Sequence, residues 1–397
     1  MKKSIVSRPV EMPDMLRIAR YEKAPEYGPR MLFFSGGSAL NETSRVLKKF
    51  THNSIHLVTP FDSGGSSAIL RKAFNMPAVG DLRSRMMALA DETISGNPEI
   101  FKLFAYRLSK DASKEELYEK LKKMALGKEA RVMAIKNPMR KLIMNHLDMF
   151  IKIMPSDFDL RGASIGNLIL SAGYLHHNHK LDPVLFMFSK LVNVLGQVHV
   201  TVNDRLHLGA RLEDGRIIHG QHLLTGKEAH KIDSPIDDFY LIEELGSEKK
   251  SHAVLQKKKK KLILQSDLIC YSPGSFYTSL IANLLPKGVG QAIEECVCPK
   301  VYVPSLGKDP ERLGLSIDHS IFKLLSYLKR DCADTVKERN LLTHVFIDSQ
   351  NGEKLKPETI IKLEKFGVDV MDVRLISADS KPYYDPQLLV IALLSLT

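Results

Sequence analysis

Residues 54–74 read SIHLVTPFDSGGSSAILRKAF, and this stretch decides the fold class. An apolar run ends in a loop of Asp, Ser and Gly, after which apolar residues recur at helical spacing. This order is typical of a strand, a glycine loop and a helix. Residues 31–50 repeat it, with MLFF followed by Ser35, Gly36 and Gly37. Two consecutive units of this kind predict a parallel sheet with both loops at its carboxyl edge, where such sheets bind ligands.

The rest of the chain extends this prediction to an α/β fold with a Rossmann-like, doubly wound, mostly parallel sheet. Further strands are expected at DLICY (267–271), KVYVP (300–304), HVFID (344–348) and VDVMDVRLI (368–376). We predict an N-terminal extension at 1–30, an α/β domain at 31–91 and 156–397, a helical insertion at 92–155, and a β-rich excursion at 196–265.

The β-rich excursion carries two predictions. VHVTV (198–202) and LHLGARLEDGRIIHG (206–220) alternate as antiparallel strands do, with an Asp-Gly turn at 214 and 215. The run Lys257–Lys261 near its end is expected to be a solvated, charged connection. A nucleic-acid patch is the alternative, but no aromatic residues interleave the lysines as they do in platforms that stack bases.

Composition sets broad limits on function. The chain has 397 residues, is 44% hydrophobic and carries a net charge of +11, which suits nucleic acid, a membrane surface or anionic small molecules equally. Its four cysteines show no paired CxxC spacing, so a reducing cytoplasm is expected. The amino terminus has no apolar signal-peptide core, and the apolar run at 388–394 is too short to span a bilayer.

Candidate phosphate-binding residues follow the predicted strands. The first glycine loop can present bare backbone N–H groups to an anion, although an ordinary tight turn explains it as well. The second loop adds hydroxyl donors and a carboxylate, with an arginine one helical turn further on, as a diphosphate site requires. The candidates in these two loops are Gly36, Gly37, Ser38, Asn41, Asp62, Ser63, Gly64, Gly65, Ser66 and Arg71.

Asp62 is the candidate catalytic residue and metal ligand. Mg²⁺ usually takes one or two carboxylates and leaves its other positions to water and phosphate, so a single Asp is compatible with a Mg²⁺ site. Helix capping is the alternative role for Asp62. Downstream, Asp81 can cap a helix, and Arg83 and Arg85 can pair with phosphates or carboxylates. A third glycine turn, SPGSFYTS (272–279), offers Ser275, Tyr277 and Thr278. Three such turns on one sheet favour a shared ligand crevice.

Several motifs in their order along the chain resemble the CofD-like superfamily over about residues 31–305. They are FSGGSALNETSRVLKKF, TPFDSGGSSAILRKAFNMPAVGDLRSRMMALAD, RGASIGNLILSAG, ARLEDGRIIHG and SDLICYSPGSFYTSLIANLL. One branch of this superfamily is 2-phospho-L-lactate transferase, which uses magnesium to move phospholactate from a nucleotide diphosphate carrier to a deazaflavin alcohol. The other is the YvcK branch of gluconeogenesis factors, which bind UDP-sugars. The local sequence motifs of this chain are closer to those of that branch.

The resemblance implies site residues by matching position. Gly36, Gly37 and Asn41 match the first loop of the family, Asp62, Gly64, Gly65 and Ser66 the second, and Asn167 and Ser275 the facing wall. The chain departs from the family pattern in several places. Ser38-Ala39 replaces Thr-Gly, Phe61 replaces the first of two aspartates, Ser84 replaces Asn, and Asn203 stands where an acidic residue is expected.

Two functions of different classes remain open, and both use a phosphorylated ligand. The first is a magnesium-dependent transferase of the 2-phospho-L-lactate type, and the second is a non-catalytic UDP-sugar-binding regulator. The implied partner is a nucleoside diphosphate, a nucleotide-sugar or a phospholactyl-nucleotide, and the resemblance further implies a homodimer. A nucleic-acid binder is favoured by charge alone, and no membrane partner is expected.

Overall fold

The computed structural model describes residues 9–93, 96–226, 232–307 and 309–397. Small parts of the predicted N-terminal extension (1–8), helical insertion (94–95) and β-rich excursion (227–231) lie outside these ranges. The strands in the described ranges are β1 (Met31–Ser35), β2 (Ile55–Val58), β3 (Gln197–Val200), β4 (His207–Leu212), β5 (Ile217–His219), β6 (Ile236–Ile242), β7 (Lys250–Ser251), β8 (Leu268–Tyr271), β9 (Lys300–Tyr302), β10 (His344–Ile347) and β11 (Asp369–Asp372).

Helices pack on both faces of the larger of the two sheets that these strands form. They are α1 (Met15–Lys23), α2 (Asn41–Leu47), α3 (Gly65–Phe74), α4 (Gly80–Leu89), α5 (Pro98–Ala105), α6 (Lys114–Ala125), α7 (Ala130–Met133), α8 (Met139–Ile153), α9 (Ile165–His176), α10 (Leu181–Leu191), α11 (Gln221–Leu224), α12 (Lys257–Leu264), α13 (Ala282–Leu284), α14 (Val289–Glu295), α15 (Ile317–Lys329), α16 (Pro357–Lys365) and α17 (Pro386–Ser395). A π-helical turn, Phe276–Ile281, precedes α13.

The central sheet has seven strands in the order β11-β10-β9-β8-β1-β2-β3, and its neighbouring strands run parallel. Leu32 and Phe34 of β1 belong to the apolar core on one face, while Met31 and Phe33 belong to the core on the other. Both sides of the strand are therefore buried, as expected for a doubly wound sheet. The predicted α/β fold is confirmed.

The strand order fixes where a ligand can bind. β1 lies between β2 and β8, so the order in which the strands are added to the sheet reverses at β1. Such a reversal leaves a crevice outside the carboxyl end of the strand. The three glycine loops of the sequence follow these same three strands. Parallel pairing brings all three to one edge of the sheet.

A second, four-stranded sheet has the order β5-β4-β6-β7 and is antiparallel. The predicted Asp-Gly turn joins β4 to β5, with Gly215 at φ +89°. The antiparallel prediction for VHVTV is wrong, because β3 pairs parallel with β2 at the edge of the central sheet. Its alternation arises from one covered face and one exposed face, and alternation does not specify strand direction.

The lysine run is a helix and not a solvated connection. Lys257, Lys258 and Lys261 of α12 are exposed, but the side chain of Lys259 is fully buried. Its ammonium donates to Asp182 at 2.7 Å and lies 3.3 Å from Nδ1 of His199 on the edge strand β3. The ion pair joins α12 to α10, the contact with His199 joins α12 to β3, and such pairing is what allows a lysine to be buried.

The predicted insertion contains α5 to α8, which share an apolar core with α9 and α10. The predicted N-terminal extension contains α1, which packs on α17, with Arg17 donating to the Ser395 carbonyl at 3.0 Å. In the described residues, no helix combines the length and apolar character that a membrane span requires.

Candidate functional site

A cavity of about 420 Å³ lies where the loops after β1, β2 and β8 meet. All the predicted ligand-binding residues line it except Gly36, Asn41, Ser63 and Arg71. Its lining residues are Gly37, Ser38, Ala39, Asp62, Gly64, Gly65, Ser66, Ser67, Gly80, Asp81, Arg83, Ser84, Arg107, Asn167, Gln221, His222, Thr225, Ser275, Thr278 and Ser279.

The first loop is held in place by Arg85, a fully buried residue of α4. Its guanidinium donates to the carbonyls of Gly36 at 3.3 Å and Gly37 at 3.1 Å, and to the Ser44 hydroxyl at 2.6 Å. Burial lowers the pKa of Arg85 to about 10, so it stays charged at neutral pH. Gly36 is required for close packing, since a Cβ there would lie 2.7 Å from the Ser279 Cβ. Gly36 therefore shapes the loop and does not itself line the cavity.

The second loop presents both its backbone and its side chains to the cavity. Helix α3 begins at Gly65, so the first-turn N–H groups of Ser66 and Ser67 have no carbonyl partners within the helix. The Asp62 carboxylate accepts the Gly64 N–H at 3.1 Å, and the N-cap position of α3 is occupied by Gly64. Asp62 is thus not the N-cap, and its carboxylate lines the cavity.

Three of the four predicted residues that miss the cavity lie behind its walls. Arg71 donates to the carbonyls of Phe61 at 3.0 Å and Leu206 at 2.7 Å, which ties the second loop to the second sheet. Ser63 bonds to His222, and the Asn41 amide donates to the Ser84 hydroxyl at 2.9 Å. The expected phosphate contact of Arg71 does not agree with this placement, because its guanidinium is directed to backbone carbonyls. Sequence spacing alone could not reveal those distant carbonyls.

Two guanidinium groups line the same cavity. Arg83 donates from Nε to Asn167 Oδ1 at 2.9 Å, and the Asn167 amide in turn donates to Ser66 at 3.2 Å. The pKa of Arg83 is lowered to about 10, mainly by burial and partly by the positive charge of Arg107, while the negative charge of Asp81 acts in the opposite direction. Two cations that repel each other across a cavity form a suitable environment for an anion.

The third loop differs, because protein carboxylates already occupy its helix N–H groups. Glu311 accepts the N–H groups of Tyr277 at 3.0 Å and Thr278 at 2.8 Å, and also the Thr278 hydroxyl at 2.5 Å. Asp309 accepts the N–H of Phe276 at 2.9 Å. Burial, with the nearby charge of Asp309, raises the pKa of Glu311 to about 7. Ser275, Thr278 and Ser279 of this loop line the cavity, but its N–H groups are bonded to these carboxylates.

Sequence reasoning missed four lining residues that come from other parts of the chain. Gln221, His222 and Thr225 follow β5 of the second sheet, and Arg107 follows α5 of the helical region. No local pattern marks them. The ARLEDGRIIHG motif ends at Gly220, directly before Gln221, and was the one available signal.

The predicted Mg²⁺ ligand can be tested against the donors present. Asp62 and Asp81 are the two carboxylates among the lining residues, and a Cβ built on Gly80 would lie 3.4 Å from Asp62 Oδ2. Across the described ranges no cluster of three or more His, Cys, Asp or Glu side chains is arranged to hold a metal. Two carboxylates fit Mg²⁺ shared with ligand phosphates, and not a metal held by the protein alone.

A second cavity, of about 630 Å³, adjoins the first and shares Ala39 and Ser275 with it. Its wall includes apolar and aromatic groups from the C-terminal segment, notably Tyr383 and Leu389. Its charged lining residues are the acids Glu42 and Asp309. In the first cavity two arginines offset two aspartates, whereas the charged lining residues of the second cavity are acids alone.

Comparisons with known proteins agree with this architecture. The family model described as 2-phospho-L-lactate transferase CofD matches residues 31–379. A putative gluconeogenesis factor from Thermoanaerobacterium thermosulfurigenes is 29% identical over 288 residues, covering 72% of this chain and 71% of that protein. The gluconeogenesis factor of Bacillus subtilis is 27% identical over 284 residues, covering 71% and 69%.

A solved structure shares the fold. The crystal structure of a UPF0052 family member from Bacillus halodurans superposes with a TM-score of 0.65 at 21% identity, covering 92% of this chain and 99% of that one. The match of the family model to most of the chain shows that this protein belongs to the CofD family.

Proposed function

We propose that this protein binds a nucleotide diphosphate-type ligand, with its phosphates in the cavity at the carboxyl edge of the central sheet. The observation that carries the proposal is the meeting of Arg83 and Arg107 with the first turn of α3 in one cavity. Helix N-termini and guanidinium groups are the two commonest protein partners of phosphate oxygens.

The adjoining cavity supports a ligand larger than phosphate. Its acidic residues would repel phosphate, so the two cavities favour a ligand with an anionic part and an uncharged part. A nucleotide meets this description, since its base is uncharged and aromatic and carries at least one N–H or NH₂ donor. Tyr383, which is 64% exposed, offers a ring on which a base can stack.

One candidate activity is a transferase reaction of the 2-phospho-L-lactate type. The two lining carboxylates, Asp62 and Asp81, favour it. When bound beside them, Mg²⁺ would neutralise charge on the diphosphate. Arg83 and Arg107 would hold the phosphates while an acceptor hydroxyl attacks the phosphorus of the phospholactyl group. The Asp62 carboxylate would take the hydroxyl proton, and the bond to the nucleotide phosphate would break to release the nucleoside monophosphate.

The other candidate is a regulator that binds a UDP-sugar without turning it over. Two observations favour it. The relatives from Thermoanaerobacterium and Bacillus are named gluconeogenesis factors, and the position of the first expected aspartate is Phe61, a buried core residue. Ligand binding would then shift a conformational equilibrium that a partner detects.

Calorimetric titration with UDP, GDP and UDP-sugars, with and without Mg²⁺, tests the shared proposal. We expect saturable binding of at least one nucleotide, and a rise in unfolding free energy of about 2.7 kcal/mol at 100 times its Kd. Phosphorus NMR with a phospholactyl-nucleotide donor and an acceptor alcohol then separates transferase from regulator, because only a transferase forms the phosphodiester and releases the nucleoside monophosphate. Failure of every nucleotide to bind would refute the proposal.

A further inference from the structure

His222 reaches the cavity from the second sheet and lies beside the second glycine loop. It is the second residue of α11, which follows the hairpin of β4 and β5. Gly220, at φ +102°, makes the turn into this segment, and a Cβ there would lie 2.9 Å from the His222 ring. The backbone therefore folds in a way that leaves room for this ring.

Ser63 holds the ring by two contacts. Its hydroxyl oxygen accepts the backbone N–H of His222 at 3.1 Å and lies 2.9 Å from Nδ1 of the same residue. The hydroxyl oxygen can accept twice, but among the described residues Nδ1 is the one acceptor in contact with the hydroxyl proton, so we assign the hydroxyl as the donor to Nδ1. A neutral imidazole that accepts at Nδ1 carries its own proton on Nε2.

Nε2 is then a donor that the protein itself leaves available. No hydrogen bond from this atom is found to any protein group within the described ranges, and the residue is only partly buried. The ring lines the same cavity as Arg83 and the α3 N-terminus. An N–H donor in such surroundings is suited to an anionic oxygen.

We infer that His222 contacts the phosphorylated ligand directly, donating from Nε2 to a phosphate oxygen, with Ser63 as the residue that positions the ring. The inference rests on the proposed nucleotide binding and assigns the second sheet a part in it. It predicts a loss of affinity when the donor is removed. If Nε2 instead accepted a proton during a reaction, removal of the ring would reduce turnover and leave the affinity for the ligand unchanged.

Calorimetric titration with UDP at one fixed pH compares wild-type protein with the variants. His222→Phe removes the donor and should weaken binding roughly tenfold to hundredfold, as for one hydrogen bond to a charged group. His222→Gln keeps an N–H donor and should remain within about threefold of wild type. His219→Phe is the control, because His219 belongs to the same hairpin and does not line the cavity.

Nitrogen NMR of the imidazole rings tests the positioning role of Ser63. The wild type should show protonated Nε2 at His222, and Ser63→Ala should shift the ring toward a mixture of tautomers. If wild-type protein binds UDP while His222→Phe binds it equally well, this inference is wrong and the proposed function stands. If wild-type protein binds no nucleotide, the proposed function fails and this inference fails with it.

Discussion

The second and third glycine loops look alike in sequence but have different partners in the folded chain. Each follows a buried strand, contains Gly and Ser, and leads into a helical segment. At the second loop the start of α3 faces the cavity, and the space beside Gly65 is open, with no atom within 4 Å of a built Cβ. At the third loop Glu311 and Asp309 occupy the backbone N–H groups.

A strand–glycine–helix pattern therefore predicts an anion site but does not predict which anion occupies it. Free N–H groups at the start of a helical segment need an acceptor, which a carboxylate of the chain supplies as well as a phosphate does. Glu311 is 33 residues from Thr278 along the chain. We therefore expect changes at the third loop to alter folding stability and changes at the second loop to alter ligand binding.

The largest expected effect is a pH dependence of stability that arises from Glu311. Its pKa in the folded protein, about 7, lies above the ordinary value of 4.5, so folding favours the protonated acid. The stabilisation that this acid provides is therefore complete below about pH 4.5. As the pH rises from about 4.5 to 7, this stabilisation is lost and the unfolding free energy falls. A shift of this size corresponds to about 3 kcal/mol.

Glu311→Gln, which mimics the protonated acid, tests this expectation by urea denaturation at pH 5 and pH 8. Because Gln does not titrate, the unfolding free energy of the variant should not fall with pH at this position. Its stability relative to wild type should therefore increase from pH 5 to pH 8. Glu353→Gln is the control, because Glu353 is exposed. Parallel pH profiles for wild type and Glu311→Gln would show that the third loop does not depend on a buried titrating acid.

Arg83 should show the next largest effect, on binding and not on folding. Arg83→Gln removes one of the two cavity guanidinium groups, and we expect UDP to bind roughly tenfold to hundredfold more weakly. Stability should change much less, because the charge of Arg83 is buried near that of Arg107. Calorimetric titration and urea denaturation measure the two effects.

Arg161→Gln is the matched control for this change. It makes the same substitution at an exposed arginine whose partner is Asp159, away from the cavity. Equal UDP affinities for Arg83→Gln and Arg161→Gln would exclude Arg83 from the phosphate site.

How much of this arrangement the sequence could predict depends on chain distance. The loops after β1 and β2 were predictable because strand, turn and helix are local patterns, and parallel pairing brings the strand ends together. The role of Arg71 was not, because its acceptor at Leu206 is 135 residues away. His222 stands 159 residues from Ser63, so its contact with the second loop is set by tertiary packing.

The burial of charged side chains could also not be predicted from sequence patterns. Five consecutive lysines predict exposure, yet Lys259 is buried because Asp182 and His199 surround its ammonium. Similarly, alternation in β3 indicated a strand with one covered face, but its direction follows from its pairing with β2. Periodicity reports which face is covered and not which partner covers it.

The smallest expected effect separates backbone strain from ligand contact at the second loop. Gly65 lies at φ +49°, so Gly65→Ala should reduce the unfolding free energy by about 1 kcal/mol through strain. Gly215, at φ +89° in the β4–β5 turn, also has open space around a built Cβ and does not line the cavity. Gly215→Ala should therefore give a similar loss of stability.

Only Gly65→Ala should weaken UDP binding, because its methyl group enters the space where a phosphate would approach the backbone. Calorimetric titration of both variants compares them after urea denaturation has shown matched stability. If both bind UDP as tightly as wild type, the open space at Gly65 is not used by the ligand. The second loop would then resemble the third, with its N–H groups serving the fold alone, and the contrast between the two loops would be lost.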